Sequence, residues 1–400
     1  MRRTHRVAGR GWILGLLMTC GAGLAAPDGP LPTSPAPAAV NPSDIRSAMD
    51  RGVAFLLGCQ HRDGSWGAAT RTKGLNIYAP VPGAHHAFRT AVTALCVSAL
   101  LELPQEQIRP GVAPALELGE AFLLEELPKV RRGSADAIYN VWTHAYGLQA
   151  LVKMHAEAAQ KGDTERQREI RRVAQTQIDL LGRYESVNGG WGYYDFEVGS
   201  KRPASSAISF TTATVLIAFH EVETLPGIDV SDAMVKRAID SINRQKKPDH
   251  SYLYGEYLKW QPVRGINTAG GSLGRSQACN LALRLWGDPG ITDDLVVEWL
   301  HRLRDRNGWL DMGRKRPVPH ESWMQVAAYF YYYGHYYASH CLQLLPIEQR
   351  PPLQSDLAAI LLARQEKDGS WWDFPFYDYH QPYGTAFALM TLQRCLPAGK

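Results

Sequence analysis

Two kinds of apolar segment alternate along the chain. In the first kind, apolar and charged positions separate onto opposite sides of a helical wheel. Ala48 to Gly58 places Met49, Gly52, Val53, Leu56 and Leu57 on one face, with Arg46, Asp50 and Arg51 on the other, so one side is buried. Stretches near Val112 to Leu127 and Ser231 to Gln245 read the same way. In the second kind, Thr90 to Leu103, Thr211 to Phe219 and Thr385 to Leu396 are apolar almost all round, and such helices need neighbours on several sides. Ala137 to His155 and Gly270 to Trp286 join this group. The pattern predicts an all-α chain in which half-buried outer helices alternate with enclosed inner ones.

A phrase recurs at the junction from outer to inner helix. It is Gln60-His61-Arg62-Asp63-Gly64-Ser65-Trp66 near the start and Gln365-Glu366-Lys367-Asp368-Gly369-Ser370-Trp371 near the end. Degenerate forms, Gly189-Gly190-Trp191-Gly192 and Asn307-Gly308-Trp309, fall between them at multiples of roughly 60 residues. The spacing predicts six helix pairs, two of them lacking a tryptophan turn. An open array needs polar capping repeats at its ends, yet here the fullest copies are the first and last, which favours closure into a ring. The glycine supplies backbone freedom after the outer helix, and the tryptophan is expected buried as a wedge between neighbouring pairs.

The Gln-x-x-x-Gly-x-Trp repeats resemble those of squalene and hopene cyclases, within the wider group of terpenoid cyclases and protein prenyltransferase β subunits. The resemblance spans about residues 43 to 396 and implies an α/α toroid of about six helix pairs around a central cavity. It implies less about chemistry, since toroids of this kind also serve polysaccharide lyases and non-catalytic domains. The Asp-x-Asp-Asp run with which the cyclases protonate an alkene is missing. The helix after Trp191 opens instead with Ser205-Ser206-Ala207-Ile208-Ser209-Phe210-Thr211-Thr212. Asp293-Asp294 precedes an outer helix, where capping is the expected role. Of the prenyltransferase zinc ligands, Cys279 and His380 have counterparts, but Gln277 stands where a carboxylate is needed, so neither a metal nor a cofactor is expected.

Composition adds a compartment. Arg2, Arg3, Arg6 and Arg10 precede an apolar run from Trp12 to about Ala26, which reads as a secretory signal over residues 1–26 and a secreted or periplasmic protein. Leu17-Met18-Thr19-Cys20 only weakly resembles a lipid-anchor site, because Thr19 stands where a smaller residue is expected. Residues 27–42, with six prolines, read as a linker, and 43–400 as one toroid domain. The formal charge of +4 is carried by the four signal arginines, so the remainder is neutral and nucleic acid is not an expected partner. Cys59, Cys96, Cys279, Cys341 and Cys395 are an odd set within or beside apolar runs, which suggests mostly buried thiols.

Candidate chemistry gathers at the starts of the inner helices, which a ring would bring to one mouth. Asp378, His380, His144 and Arg89 are the candidate catalytic groups, with Asp378 able to orient or charge the His380 imidazole. His86, Trp142, Arg275, Trp323, Tyr329, Tyr333, Tyr379 and Tyr383 are candidate ligand-binding residues. Any one of them could instead cap a helix or fill a repeat contact. Tyr329, Tyr333, Tyr336 and His340 recur at helical spacing and suggest an aromatic cavity wall. Three functions fit. The first is an exported cyclase-like toroid that binds, with or without transforming, an isoprenoid or other apolar small molecule. The second is a polysaccharide lyase or other glycan-active enzyme, and the third a non-catalytic envelope interaction module.

Overall fold

A computed structural model describes residues 40–72, 81–195, 202–203, 207–320 and 325–397. The signal and most of the linker read from the sequence lie outside these residues, as do Glu321 and Trp323. Among the described residues the chain forms α-helices, short 3-10 turns and three isolated β-bridges, with no β-strand.

The outer helices are α1 (Pro42–Cys59), α3 (Val112–Glu126), α5 (Thr164–Tyr184), α7 (Asp232–Gln245), α9 (Asp293–Asp305) and α12 (Arg350–Leu362). The inner ones are α2 (His85–Leu101), α4 (Val141–Gln160), α6 (Ser209–Val222), α8 (Leu273–Leu285), α11 (Phe330–Gln343) and α13 (His380–Cys395); a short α10 (Asn307–Gly313) follows α9. Each inner helix packs on the next, α2 on α4, α4 on α6, α6 on α8, α8 on α11 and α11 on α13, and α13 returns to α2. The inner helices therefore close a ring. Their burial follows the sequence pattern: α6 is enclosed along almost its whole length, whereas α1 buries Ile45, Ala48, Met49, Gly52, Val53 and Leu56 on one side.

The repeated phrase builds one turn several times. Trp66, Trp191 and Trp371 are all fully buried. In each, the indole N–H donates to a leucine carbonyl near the end of the preceding outer helix, Leu56 at 2.8 Å, Leu181 at 2.9 Å and Leu361 at 2.9 Å. In each, the backbone N–H donates to a threonine hydroxyl of the following inner helix, Thr93, Thr212 or Thr385. The buried tryptophan thus ties its two helices together through its indole and backbone N–H donors.

Glycine is required by position as well as by conformation. Gly64, Gly189 and Gly369 have φ of +86°, +87° and +88°, and a Cβ on them would stand 2.2, 2.5 and 2.6 Å from backbone carbonyl oxygens of α3, α7 and α1. Each turn therefore lies flat against the next outer helix. Gln60 spans the same junction, donating to the carbonyls of Gly64 at 3.0 Å and of Ala115 in α3 at 2.9 Å. Gln365 repeats this with Gly369 at 2.9 Å and Ala48 in α1 at 2.8 Å, so the last repeat grips the first with the bond that joins the first to the second.

One expectation about the turns is corrected and one is filled in. Asn307-Gly308-Trp309 is not a turn of this kind; it opens α10, and Trp309 is only half-buried beneath the Arg306 guanidinium. One of the units expected to lack a tryptophan turn carries a related turn without the tryptophan, Asp249-His250-Ser251-Tyr252. Asp249 accepts from the Ser251 N–H and hydroxyl, as Asp63 does from Ser65 and Asp368 from Ser370. Tyr252 replaces the tryptophan and donates its N–H to Ser272, while His250 takes the glycine's place at φ +56°. All five described cysteines are free thiols, four of them buried.

Candidate functional site

Inside the ring, at the N-terminal ends of the inner helices, lies a cavity of about 640 Å³. Phe88, Val92 and Leu95 of α2, Trp142 and Tyr146 of α4, Phe210 of α6, Phe330 and Tyr333 of α11, and Tyr383 and Phe387 of α13 form its inner wall. The connecting segments add Tyr139, Tyr193, Tyr194, Tyr254, Tyr257, Tyr329, Phe374 and Phe376, with Arg264, His320 and Gln325 as its more polar members. The rings pack against one another: Trp142 stacks on Tyr146 at 5.9 Å and on Phe210 at 5.7 Å, and Tyr139 stacks on Tyr193 at 5.4 Å. Such offset and edge contacts make a stiff wall from few rotatable bonds.

Several of the phenols are already hydrogen-bonded. Tyr139 and Tyr194 share a 2.5 Å hydrogen bond, and Tyr254 and Tyr329 one of 3.1 Å. Tyr333 donates to the Phe210 carbonyl at 3.1 Å and meets the Thr214 hydroxyl at 2.9 Å. The His320 Nδ1–H donates to the Gln325 carbonyl at 2.7 Å, which leaves Nε2 as the acceptor facing the Tyr329 hydroxyl at 3.4 Å. Burial pushes this imidazole down to about 4, so it is neutral near pH 7. Backbone strain collects here too, with Tyr139, His320 and Gln325 all at positive φ.

Below the cavity, towards the C-terminal ends of the inner helices, the ring is filled. Tyr336 and Tyr337 occupy the next layer of α11 and are fully enclosed. Beyond them a charged cluster draws on four helices. Glu102 at the end of α2 accepts from both terminal nitrogens of Arg394 of α13, at 2.8 and 3.1 Å. Lys153 of α4 lies 3.4 Å from Glu102 and 3.9 Å from Glu221 of α6, and Gln149 donates to Glu221 at 3.0 Å.

The residues singled out in the sequence divide in two. Trp142, Tyr329, Tyr333 and Tyr383 line the cavity. Arg89, His86, His144, Arg275, Asp378, His380 and Tyr379 do not, and most of them have a visible alternative occupation. Arg89 donates to the Ser65 hydroxyl at 2.8 Å and pairs with Asp63, bracing the first turn as Gln381 braces the last through Asp368 and Ser370. His86 pairs with Glu126 at 2.8 Å on the outside of the ring. His144 is fully buried between α4 and α5, with Nδ1 2.8 Å from Gln177, and burial pushes it down to about 4. Arg275 is buried and gives its donors to the carbonyls of Tyr252, Gly271 and Ile266. It holds a loop, and burial lowers it to about 10.

Asp378 does not orient His380. The imidazole Nδ1–H donates to the Tyr377 carbonyl at 2.6 Å and the ring meets Trp372 edge-on. Tyr379 is buried behind Phe88 and Phe376, with its hydroxyl at the His85 carbonyl. Trp323 lies outside the described residues. What sequence reasoning missed is Asp373, fully enclosed behind Tyr383, and His320 in the wall itself. Asp373 follows the Trp371-Trp372 pair that carries the repeat, and its adjacency to that motif was the available signal.

A closed ring of inner helices around a cavity, jacketed by outer helices, defines an α/α toroid. Solved structures agree on that fold. A cellobiose 2-epimerase from Bacillus thermoamylovorans superposes over 88% of this chain and 99% of its own, at TM-score 0.54 and 10% identity. An α-1,6-mannanase from Salegentibacter covers 88% and 98% at TM-score 0.51 and 9% identity. A type II terpene cyclase from Scytonema covers 90% and 99% at 17% identity, but its TM-score of 0.49 is too low to argue from. No family model and no curated protein sequence matches the chain.

Proposed function

We propose that this toroid binds an apolar small molecule of the isoprenoid class in its central cavity. The observation that carries the reading is the cavity's chemistry: a wall of aromatic rings in which no aspartate or glutamate appears among the described lining residues. Its volume of about 640 Å³ falls in the range of small-molecule sites, roughly 300 to 1,000 Å³. Aromatic faces pack well against branched hydrocarbon, and the tyrosine layer and ion cluster beneath close one end.

The glycan-active names among the structural neighbours motivate the competing reading, and the same wall weighs against it. Most glycosidases flank the scissile bond with two carboxylates. A sugar also brings many hydroxyls that each need a partner, whereas several of the phenols here are already engaged with one another or with the protein. Export belongs to the proposal as well and rests on the arginines and apolar run of residues 2–26. The test is native purification, solvent extraction and mass spectrometry of what co-purifies. An isoprenoid or other apolar lipid is expected; an oligosaccharide bound at the cavity would sink the reading.

A further inference from the structure

Asp373 is a carboxylate with two tasks. It is fully enclosed, on the stretch between Trp371 and α13. Its Oδ2 accepts the Tyr332 backbone N–H at 3.1 Å, in the first turn of α11, a helix with no side-chain cap of its own. Its Oδ1 accepts the hydroxyl of Tyr383, which lies in the first turn of α13 and contributes to the cavity wall. Among the described residues no cation lies within ion-pair distance of it. One oxygen therefore caps a helix and the other aims a phenol.

The aimed phenol differs from its neighbours. Tyr333 is committed to Phe210 and Thr214, and Tyr254 and Tyr329 to each other. Tyr383 alone among these has its proton drawn towards a carboxylate. A phenol in that state is the better acceptor, because the bond behind it polarises the oxygen and the low-dielectric surroundings strengthen the effect. Burial also pushes Asp373 up to about 6, so near neutral pH the carboxylate is mainly ionised and the polarisation operates.

We propose that Tyr383, held by Asp373, accepts a hydrogen bond from a hydroxyl group of the cavity ligand, which makes that ligand an apolar alcohol rather than a plain hydrocarbon. The inference rests on the apolar-ligand reading and narrows it. The rest of the ligand lies against rings, and its one polar atom is read at one wall position.

Three probes on one branched C20 skeleton test it: phytanol, its methyl ether, which cannot donate, and phytane. Equilibrium dialysis at constant detergent gives their affinities. The intact protein should bind phytanol about tenfold more tightly than either of the others. Tyr383→Phe should remove that preference while leaving phytane binding within about twofold and the ring folded by circular dichroism. Equal affinity for phytanol and its ether on the intact protein overturns the inference, and that comparison needs no variant. A preference that survives Tyr383→Phe also overturns it. Failure of all three probes to bind the intact protein would instead remove the apolar-ligand reading beneath it.

Discussion

The two ends of the ring are built from opposite chemistry. At the N-terminal ends of the inner helices, indole wedges and local Asp–Ser bonds shape the turns, and neutral phenols line an open space. At the C-terminal ends, Glu102, Lys153, Glu221 and Arg394 neutralise one another and the centre is filled. Buried ions demand partners within reach, while rings packed edge to face can frame a void. The aromatic cavity lies at one end, and the ionic end carries instead a more polar groove of about 1030 Å³ that Glu102 and Arg394 help to line.

The largest effect is expected at the aromatic end. Trp371→Ala should cost about 3 to 5 kcal/mol in urea unfolding, because it leaves a large hole and takes the indole donor from the Leu361 carbonyl, while the backbone bond to Thr385 remains. At the charged end, Arg394→Ala should cost about 3 kcal/mol by leaving Glu102 with Lys153 alone. The two losses should respond differently to acid. Burial alone would raise Glu102, but Arg394 and Lys153 outweigh it and hold the carboxyl below the usual range. Its contribution is thus present above the ordinary carboxylate pKa and lost as pH falls through the depressed one. The penalty of Arg394→Ala should shrink on acidification from pH 7 towards 3, and that of Trp371→Ala should not. Equal pH dependence for both would erase the contrast between the ends.

Asp373 sharpens the comparison from the other direction, since it is a fully buried carboxylate at the aromatic end with no ion-pair partner among the described residues. Burial, partly offset by Tyr383, by the Tyr332 and Phe374 amides and by Arg314, lifts it to about 6. A raised acid stabilises the fold below its unfolded pKa and loses that contribution as pH rises to the folded value, here from roughly 4 to about 6. Asp373→Asn should flatten that part of the stability profile, gaining up to about 2 to 3 kcal/mol relative to the parent between pH 4 and 7. An unchanged slope would mean that Asp373 titrates normally. The smallest effect is expected outside the ring. His86→Ala removes an exposed pair with Glu126 and should change stability by less than about 1 kcal/mol, with ligand binding unaltered.

Much of the fold was legible because it depends on periodic burial and on turns in adjacent sequence. Thr211 to Phe219 reads as an enclosed helix whatever its neighbours, and Gly64 with Trp66 announces its turn by residue type. The fourth turn was not legible, because Asp249-His250-Ser251-Tyr252 keeps the Asp and Ser bonds while replacing both the glycine and the tryptophan that mark the others. The site was legible only in its aromatic part. Spacing along α11 brings Tyr329 and Tyr333 to one wall, but no local pattern shows that Arg89 serves Asp63, or that Arg275 spends itself on three carbonyls. Arg, His and Asp near helix starts look alike on paper whether they face a ligand or a loop, and the difference lies in partners up to hundreds of positions away.

The bond from Gln365 to Ala48 has a consequence for how the molecule comes apart. A linear stack of helix pairs frays from its ends, and each lost pair exposes the next. Here α13 packs on α2, and the last turn rests on α1, so there is no terminal pair to peel away. Any first opening has to break two interfaces at once. Unfolding should therefore be a single concerted event, and amide exchange in the inner helices should report one shared opening energy rather than a gradient along the chain.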